Sequence, residues 1–246
     1  MENCKNCGFT FEGNFCPNCG QKKNSGRIVL KESARDVLEN YFDFDAPLLK
    51  TIKDLFIQPG ELIRNYIRGK RKSYSHPFKY YISIFAVFLI VQQLLDFDPI
   101  KAVSDALGAQ ELPDPNATAT KAGDFFRTHI NSLLLIFALT LSLFSKLFNR
   151  KSGYNITEYL VLSFYVAAQY ILLSTFAYLL TPLSPSFFFL NYLFVLVYPI
   201  YVLTRFHEGK LLRRIFKGFL VTLLAWLTYA ASGFTISFFI VDLLGL

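Results

Sequence analysis

Long apolar runs after residue 77 constrain the fold of this chain more than any other feature of its sequence. They lie at about 78–95, 129–148, 158–180, 187–203 and 218–244, and an α-helix needs roughly 17–25 residues to cross a bilayer. Of the 246 residues, 53% are hydrophobic and only 17% are charged, a balance that soluble domains rarely have. The sequence therefore predicts an all-α polytopic membrane protein with about five transmembrane helices.

Basic residues are concentrated in alternate connections between these runs. The segments 64–79, 146–151 and 205–217 are rich in Lys and Arg, whereas the connection 96–127 is rich in Asp and Glu. By the positive-inside rule, the N-terminus is predicted to be cytoplasmic and the C-terminus periplasmic or extracellular. We interpret the net charge of +7 as a topology signal rather than as a sign of nucleic-acid binding.

All four cysteines of the chain lie in its first nineteen residues, with the spacing C-x2-C-x8-C-x2-C. They are Cys4, Cys7, Cys16 and Cys19. Two such pairs can close a tetrahedral shell around one structural Zn2+, and the glycine after each pair suits a tight turn. The intervening residues 9–15 are predicted to form a short hairpin. Two disulfides are the alternative, which a reducing cytosol disfavours.

The sequence divides into a zinc ribbon at 1–22, an intermediate region at 23–77 and a transmembrane bundle at 78–246. Within the intermediate region, apolar residues recur at helical spacing over 30–42, 48–56 and 62–67. None of these patterns is long enough to span a bilayer. They predict amphipathic helices that lie on the membrane surface or pack on one another.

Basic and aromatic residues alternate just before the first apolar run. Such a segment typically anchors at the head groups of an anionic leaflet. The predicted lipid contacts are Arg64, Arg68, Lys70, Arg71, Lys72, Tyr66, Tyr74 and His76. The alternative is a topology signal with an aromatic belt and no recognition of a particular head group.

The polar residues inside the predicted spans are neutral, and no ionisable residue lies near the middle of any span. They are Gln92, Gln93, Asn131, Gln169 and Asn191. Such residues either join helices by hydrogen bonds or line a polar path. The sequence also has no His-Glu-x-x-His pair and no Gly-x-Ser-x-Gly turn, so we expect no enzymatic activity.

Two groups of motifs resemble a known family. They are Cys-Lys-Asn-Cys-Gly at 4–8 with Phe-Cys-Pro-Asn-Cys-Gly-Gln at 15–21, and Pro59-Gly60, Tyr66, Gly69-Lys70-Arg71, Tyr74 and Pro77 before the first span. Together they are similar to the bacterial membrane family catalogued as domain of unknown function 3667. The resemblance covers about residues 4–81. It implies a protein of the bacterial envelope, here the inner membrane, and no particular activity.

Three functional hypotheses follow from these features. The leading one is a docking, scaffold or regulatory protein whose ribbon recruits a cytoplasmic protein to the membrane, with anionic lipids as further partners. The second is a transporter or channel that uses the neutral polar residues. The third is a lipid-processing enzyme, which lacks an acid, base or nucleophile constellation. Nucleic-acid binding is disfavoured because the ribbon has no continuous basic face.

Overall fold

The computed structural model describes residues 1–23, 28, 47–95, 118–129 and 133–244. Two short strands and eight α-helices form within these ranges. The strands are β1 (Glu2–Asn3) and β2 (Thr10–Phe11), and the helices are α1 (Pro47–Ile57), α2 (Pro59–Ile67), α3 (Pro77–Leu95), α4 (Thr118–His129), α5 (Leu134–Phe148), α6 (Ile156–Leu180), α7 (Leu190–Phe206) and α8 (Leu211–Leu244). Short 3-10 turns lie at Arg150–Ser152 and Pro185–Phe189. The helix predicted over 30–42 falls outside the described residues.

Helix α6 is the centre of the bundle. In its most apolar window 67% of the residues are buried, against 22% for α3 and 28% for α8. Its start is fixed by a capping box, in which the Asn155 side chain accepts from the Glu158 amide and the Glu158 carboxylate accepts from the Asn155 amide, both at 2.7 Å. This reciprocal cap satisfies amides that the first helical turn leaves without partners. Glu158, the acidic residue at the start of the predicted third span, is therefore part of a helix cap.

Aromatic contacts show that α3 and α6 run parallel. Phe78 meets Phe164 near the starts of the two helices, with ring centroids 5.4 Å apart. Further along, Phe88 meets Tyr178 at 6.1 Å. Both pairs are edge-to-face, a preferred geometry for aromatic rings. The starts of α3 and α6 therefore lie at the same end of the bundle.

Helix α8 runs antiparallel to both α5 and α7. Near its start, Lys217 donates to the Phe148 carbonyl at the end of α5 at 3.0 Å. Arg214 donates to the Thr204 carbonyl near the end of α7 at 2.8 Å. The ends of α5 and α7 thus join the start of α8. We call this end, formed by residues 64–79, 146–158 and 203–217, the basic end.

The predicted number of spans is close to the observed one. Four helical segments are long and apolar enough to cross a membrane: Pro77–Leu95, Ile156–Leu180, Ser186–Phe206 and Leu211–Leu244. The remaining predicted span, 129–148, is shorter in the structure, because α5 begins at Leu134 and has 15 residues. Such a helix rises about 22 Å, less than a hydrocarbon core of roughly 30 Å. Nevertheless, α5 ends at the basic end, where α6 begins, so these two consecutive helices run in opposite directions.

Residues 118–129 form a helix where the sequence predicts a polar loop and, at 129, the start of a span. This helix, α4, packs on α8: the rings of Phe126 and Tyr229 lie 5.9 Å apart, and Gly233 leaves room for the Phe126 ring. Its composition is polar overall, so hydropathy does not reveal it. The contact with α8 supplies the apolar surface on which it folds.

Helices α1 and α2, with the loop 68–76, pack against the basic end, and we call this unit the platform. Tyr198 of α7 donates to the Leu55 carbonyl at 3.1 Å, and Tyr201 donates to the Ile57 carbonyl at 3.1 Å. In the loop, the Ser75 carbonyl accepts from Tyr165 at 2.6 Å. The predicted apolar face of α2 is buried, including Leu62 and Ile63. The platform is thus fixed to the bundle by both apolar burial and hydrogen bonds.

Gly60 gives a direct test of this packing. A Cβ atom at position 60 would overlap the backbone carbonyl of Arg205 at the end of α7. We expect Gly60→Ala to lower the free energy of unfolding by about 1–3 kcal/mol, because α2 must move away from α7. The measurement is the thermal unfolding midpoint of the detergent-solubilised protein.

Gly123→Ala provides the matched control. Gly123 lies in α4, and a Cβ atom there would meet no heavy atom within 4 Å. Alanine should leave the midpoint unchanged or raise it slightly, since alanine is favoured over glycine in a helix by roughly 0.5–1 kcal/mol. Equal midpoints for the two variants would contradict the close approach of α2 and α7.

The direction of α5 predicts the side on which the C-terminus lies. A reporter active only in the periplasm should be active after Leu246 and near Asn116, and silent near Ser152 and Glu208. The reason is that five alternating passes, with the basic end on the cytoplasmic side that the positive-inside rule predicts, would place the C-terminus on the opposite side. A silent C-terminal fusion would mean an even number of crossings and would remove one pass from the assignment.

Candidate metal centre and its attachment to the bundle

The four cysteine sulfurs form one compact cluster. All four Sγ atoms lie within 4.8 Å of one another. The Sγ atoms of Cys4 and Cys19 are 3.6 Å apart, and those of Cys7 and Cys16 are also 3.6 Å apart. A tetrahedral shell with Zn–S bonds of about 2.3 Å has sulfurs about 3.8 Å apart, whereas a disulfide joins them at about 2.05 Å. The four cysteines are free thiols, and their arrangement fits the predicted zinc ribbon.

Each cysteine pair sits on a turn of the same design. The Gly8 amide donates to the Cys4 carbonyl at 2.9 Å, and the Gly20 amide donates to the Cys16 carbonyl at 2.8 Å. Both glycines have positive φ, +78° and +69°, which a residue with a Cβ rarely adopts. The two turns bring the second cysteine of each pair back toward the first.

The strands of the ribbon pair differently from the predicted hairpin. Strand β1 pairs with β2 across the first cysteine turn, with Glu2 opposite Phe11. Phe15 pairs with Lys22 across the second turn. Residues 9–11 and 14–15 therefore do not pair with each other. The first segment pairs with residues before the first cysteine turn, and the second pairs with a residue after the second cysteine turn.

The thiols of the cluster differ in acidity. The Phe9 amide, followed by the Asn18 side chain, lowers the pKa of Cys7 to about 6. Burial raises the pKa of Cys19 to about 12, although the Gln21 amide opposes this. Four thiolates this close repel one another, so a cation among them is needed for all four to be deprotonated together. The donor set is thus chemically suited to a thiophilic divalent metal.

The ribbon is attached to the platform by two side chains of the cysteine motifs for which the sequence predicts no such role. Asn6 accepts from both the amide and the hydroxyl of Ser73, at 3.1 and 2.8 Å. Gln21 accepts from the Lys72 amide at 3.0 Å, and its side chain is buried. The bonded residues are more than fifty positions apart in the chain, so no local pattern could reveal them. Each of the two cysteine turns contributes one contact.

Two of the predicted lipid contacts, one buried and one half-buried, are used within the protein. Tyr66 is 4% exposed and meets Tyr165 edge-on at 5.8 Å. Arg64 donates to the Arg205 and Phe206 carbonyls of α7 at 2.7 and 2.9 Å. These two side chains hold the platform on the bundle.

Of the other six predicted lipid contacts, three are buried or half-buried and three are exposed. Tyr74 is buried beneath Lys50, whose Nζ lies 5.0 Å from the ring centroid, and burial raises the pKa of its hydroxyl. His76 is half-buried and edge-on to Tyr66. Arg71 is also half-buried. Arg68, Lys70 and Lys72 are exposed, and contact of these three with lipid head groups stays a prediction.

The neutral polar residues predicted inside the membrane do not converge where the structure describes them. Gln169 is fully buried in α6 and accepts from the Tyr80 hydroxyl of α3. Gln92 and Gln93 are exposed near the end of α3, and Asn191 donates to the Phe188 carbonyl in its own segment at 3.0 Å. Asn131 lies outside the described residues. Gln169 thus joins two helices, and the described members form no continuous path.

The apolar helices and the cysteine cluster together define a polytopic helical membrane protein with a small ribbon whose four cysteines can hold a metal ion. Residues 45–89 match the family described as "Protein of unknown function (DUF3667)", so the resemblance predicted from the sequence is confirmed over this segment. The matched segment covers the platform and the first part of α3, and it begins after the ribbon. No curated protein and no solved structure matches the chain.

The cluster predicts one zinc ion per chain. Cys16→Ser should abolish zinc binding and unfold the ribbon while the bundle stays inserted, because so small a segment has no sufficient core of its own. Zinc content of the purified protein is measured by elemental analysis, with Zn–S distances near ~2.3 Å expected by X-ray absorption.

Glu12→Gln is the control for this experiment. Glu12 is exposed and outside the cysteine cluster, so this variant should keep its full zinc content. Discovery of a disulfide between any of the four cysteines in freshly purified protein would overturn the assignment.

Proposed function

We propose that the protein is a non-enzymatic docking protein of the bacterial inner membrane, whose zinc ribbon recruits a cytoplasmic protein. The observation that carries the proposal is the attachment of the ribbon to the platform through Asn6 and Gln21. A ribbon on a free tether would present its surface in any orientation. A ribbon held at two points presents one surface in a fixed position above the bundle, which lowers the entropy cost of binding a partner.

Exposed phenylalanines indicate where such a partner would bind. Phe9 and Phe15 of the ribbon are 47% and 61% exposed. Aromatic residues are enriched in the buried centres of interfaces, and burying one contributes roughly 1.5–3 kcal/mol. The ribbon around them carries both acidic and basic residues, so charge does not dominate the surface. The partner that fits is a folded protein with apolar pockets for these two rings.

The two rival hypotheses find less support. A channel needs its polar residues to meet, and among the described ones Gln169 is used to join α3 and α6. A lipid-processing enzyme needs an acid, base or nucleophile constellation, which the sequence does not suggest. A metal-dependent enzyme needs an open position on its metal ion for a substrate or water. A closed Cys4 shell leaves no such position, so an ion held there would be structural.

The test places a photo-crosslinking amino acid at position 15 of the full-length protein in its native membrane. A captured protein is then identified, purified and titrated against the reconstituted protein. Phe9→Ser/Phe15→Ser should weaken binding by about a hundredfold, because two apolar anchors are lost. Asn14→Ser, an exposed change on the same ribbon, should leave binding and zinc content unchanged.

Cys16→Ser distinguishes a surface of the folded ribbon from a linear epitope. It should abolish binding together with zinc, whereas the double phenylalanine variant should lose binding and keep zinc. Binding that survives Phe9→Ser/Phe15→Ser would contradict the proposed surface. A solute flux in proteoliposomes without any captured partner would favour the transporter hypothesis instead.

A further inference from the structure

The basic end contains a cavity of about 600 Å3. Its walls are the end of α5, the 3-10 turn that follows it, the end of α7 and the start of α8. The charged residues that line it are Arg150, Lys151, Glu208, Lys210, Arg213, Arg214 and Lys217. This volume is within the range of small-molecule sites, roughly 300–1,000 Å3. None of these residues belongs to the ribbon or to the lipid contacts predicted at 64–76.

The cavity is strongly positive. Its lining has six Lys or Arg side chains against the single carboxylate of Glu208. His207 adds no charge at neutral pH, because burial, followed by the charges of Lys217 and Arg64, lowers its pKa to about 4. Six like charges around one concavity repel each other and raise the local concentration of anions.

Two of the six cations are already used to close helix ends. Lys217 donates to the Phe148 carbonyl at 3.0 Å, and Arg214 donates to the Thr204 and His207 carbonyls at 2.8 and 3.0 Å. These bonds fix the cavity wall. They leave Arg214 Nε and His207 Nε2 buried without a hydrogen-bond partner among the described residues. Both atoms lie beneath the cavity surface, so direct contacts with a ligand fall to the exposed cations of the lining.

The other four cations have no such structural use. Arg150, Lys151, Lys210 and Arg213 are exposed and form no ion pair within the described part of the chain. Lys210 and Arg213 also flank the start of α8, a 34-residue helix. A helix N-terminus carries a partial positive charge and free amides, which adds to the attraction for an anion.

From these observations we propose that the cavity binds a ligand with a phosphate group. Phosphate oxygens match the forked donors of arginine and the mobile ammonium groups of lysine. The ligand is either the head group of a membrane phospholipid or a soluble phosphorylated molecule, which share this chemistry.

Apolar side chains beside the cavity favour a lipid. Leu147 in its wall and Leu211, Leu212, Ile215 and Phe216 on the first turns of α8 are 41–82% exposed. Exposed apolar residues beside a cationic site are typical of a membrane interface, where acyl chains stay in the bilayer while the head group enters the protein. A soluble phosphorylated ligand would gain nothing from these residues.

The test uses the full-length protein in nanodiscs of phosphatidylcholine, with and without a small fraction of phosphatidic acid. Native mass spectrometry should show a single phosphatidic acid retained per chain. Lys210→Gln/Arg213→Gln should weaken retention by about tenfold or more, the loss expected for two charge-assisted phosphate contacts. Both side chains are exposed, so the variant should unfold at the same temperature as the wild type.

Two further variants separate a site from general charge attraction. Lys22→Gln/Lys53→Gln removes the same charge from exposed positions that neither line the cavity nor belong to the predicted lipid contacts, and it should change retention by less than about twofold, since the attraction between exposed charges and an ion outside their own contacts is weak and screened. Glu208→Gln removes the one acid in the lining and should strengthen retention by about threefold. A gain in affinity cannot result from misfolding.

Soluble probes identify the source of the phosphate. Glycerol 3-phosphate and inorganic pyrophosphate are titrated into protein in nanodiscs of phosphatidylcholine alone. Cavity-dependent binding of either probe supports the site and assigns it to a soluble ligand, whereas retention of phosphatidic acid alone assigns it to a lipid head group. If neither class binds, or if the two double variants lose retention equally, the proposal is wrong.

Discussion

The carbonyl groups at the end of α7 hold the basic end together. They accept from two arginines of different elements: Arg64 of the platform bonds the Arg205 and Phe206 carbonyls, and Arg214 of α8 bonds those of Thr204 and His207. A helix leaves its last carbonyls without internal partners, and a guanidinium both satisfies them and complements the negative end of the helix dipole. Gly60 lets α2 approach the same carbonyls closely. Platform, bundle and cavity therefore share one joint.

This joint shows how Arg64, Arg214 and Lys217 are held at the basic end by backbone carbonyls. The ion pair found between two described residues joins the N-terminal amine and Glu12 in the ribbon, away from this end. At the basic end, Arg64, Arg214 and Lys217 are neutralised in part by backbone dipoles, which bring no opposing charge. The helix ends are stabilised while the surface keeps its positive potential, so the same residues can stabilise the fold and attract anions.

The sequence predicts those features that depend on local pattern. Hydropathy locates α3, α6, α7 and α8 because the bilayer requires long apolar helices, and cysteine spacing locates the metal cluster because two short turns suffice to build it. Contacts distant in sequence are different. Nothing near Asn6 indicates that Ser73 is its partner, and nothing near Tyr66 indicates that the ring turns into the bundle rather than toward lipid. Helix α4 is missed because its apolar surface comes from α8.

Counting the Lys and Arg residues of each connection predicts topology but does not reveal the cavity. The positive-inside rule requires cations in certain connections but does not specify where their side chains lie. For topology, Arg150, Lys151, Lys210 and Arg213 would serve equally well if they were spread over the surface. The structure instead gathers them around one concavity, because antiparallel α5, α7 and α8 bring the ends of two helices to the start of a third. A topology signal thus accounts for the sign of the charge, the packing of the helix ends accounts for its convergence, and the proposed phosphate ligand is the function that this convergence would serve.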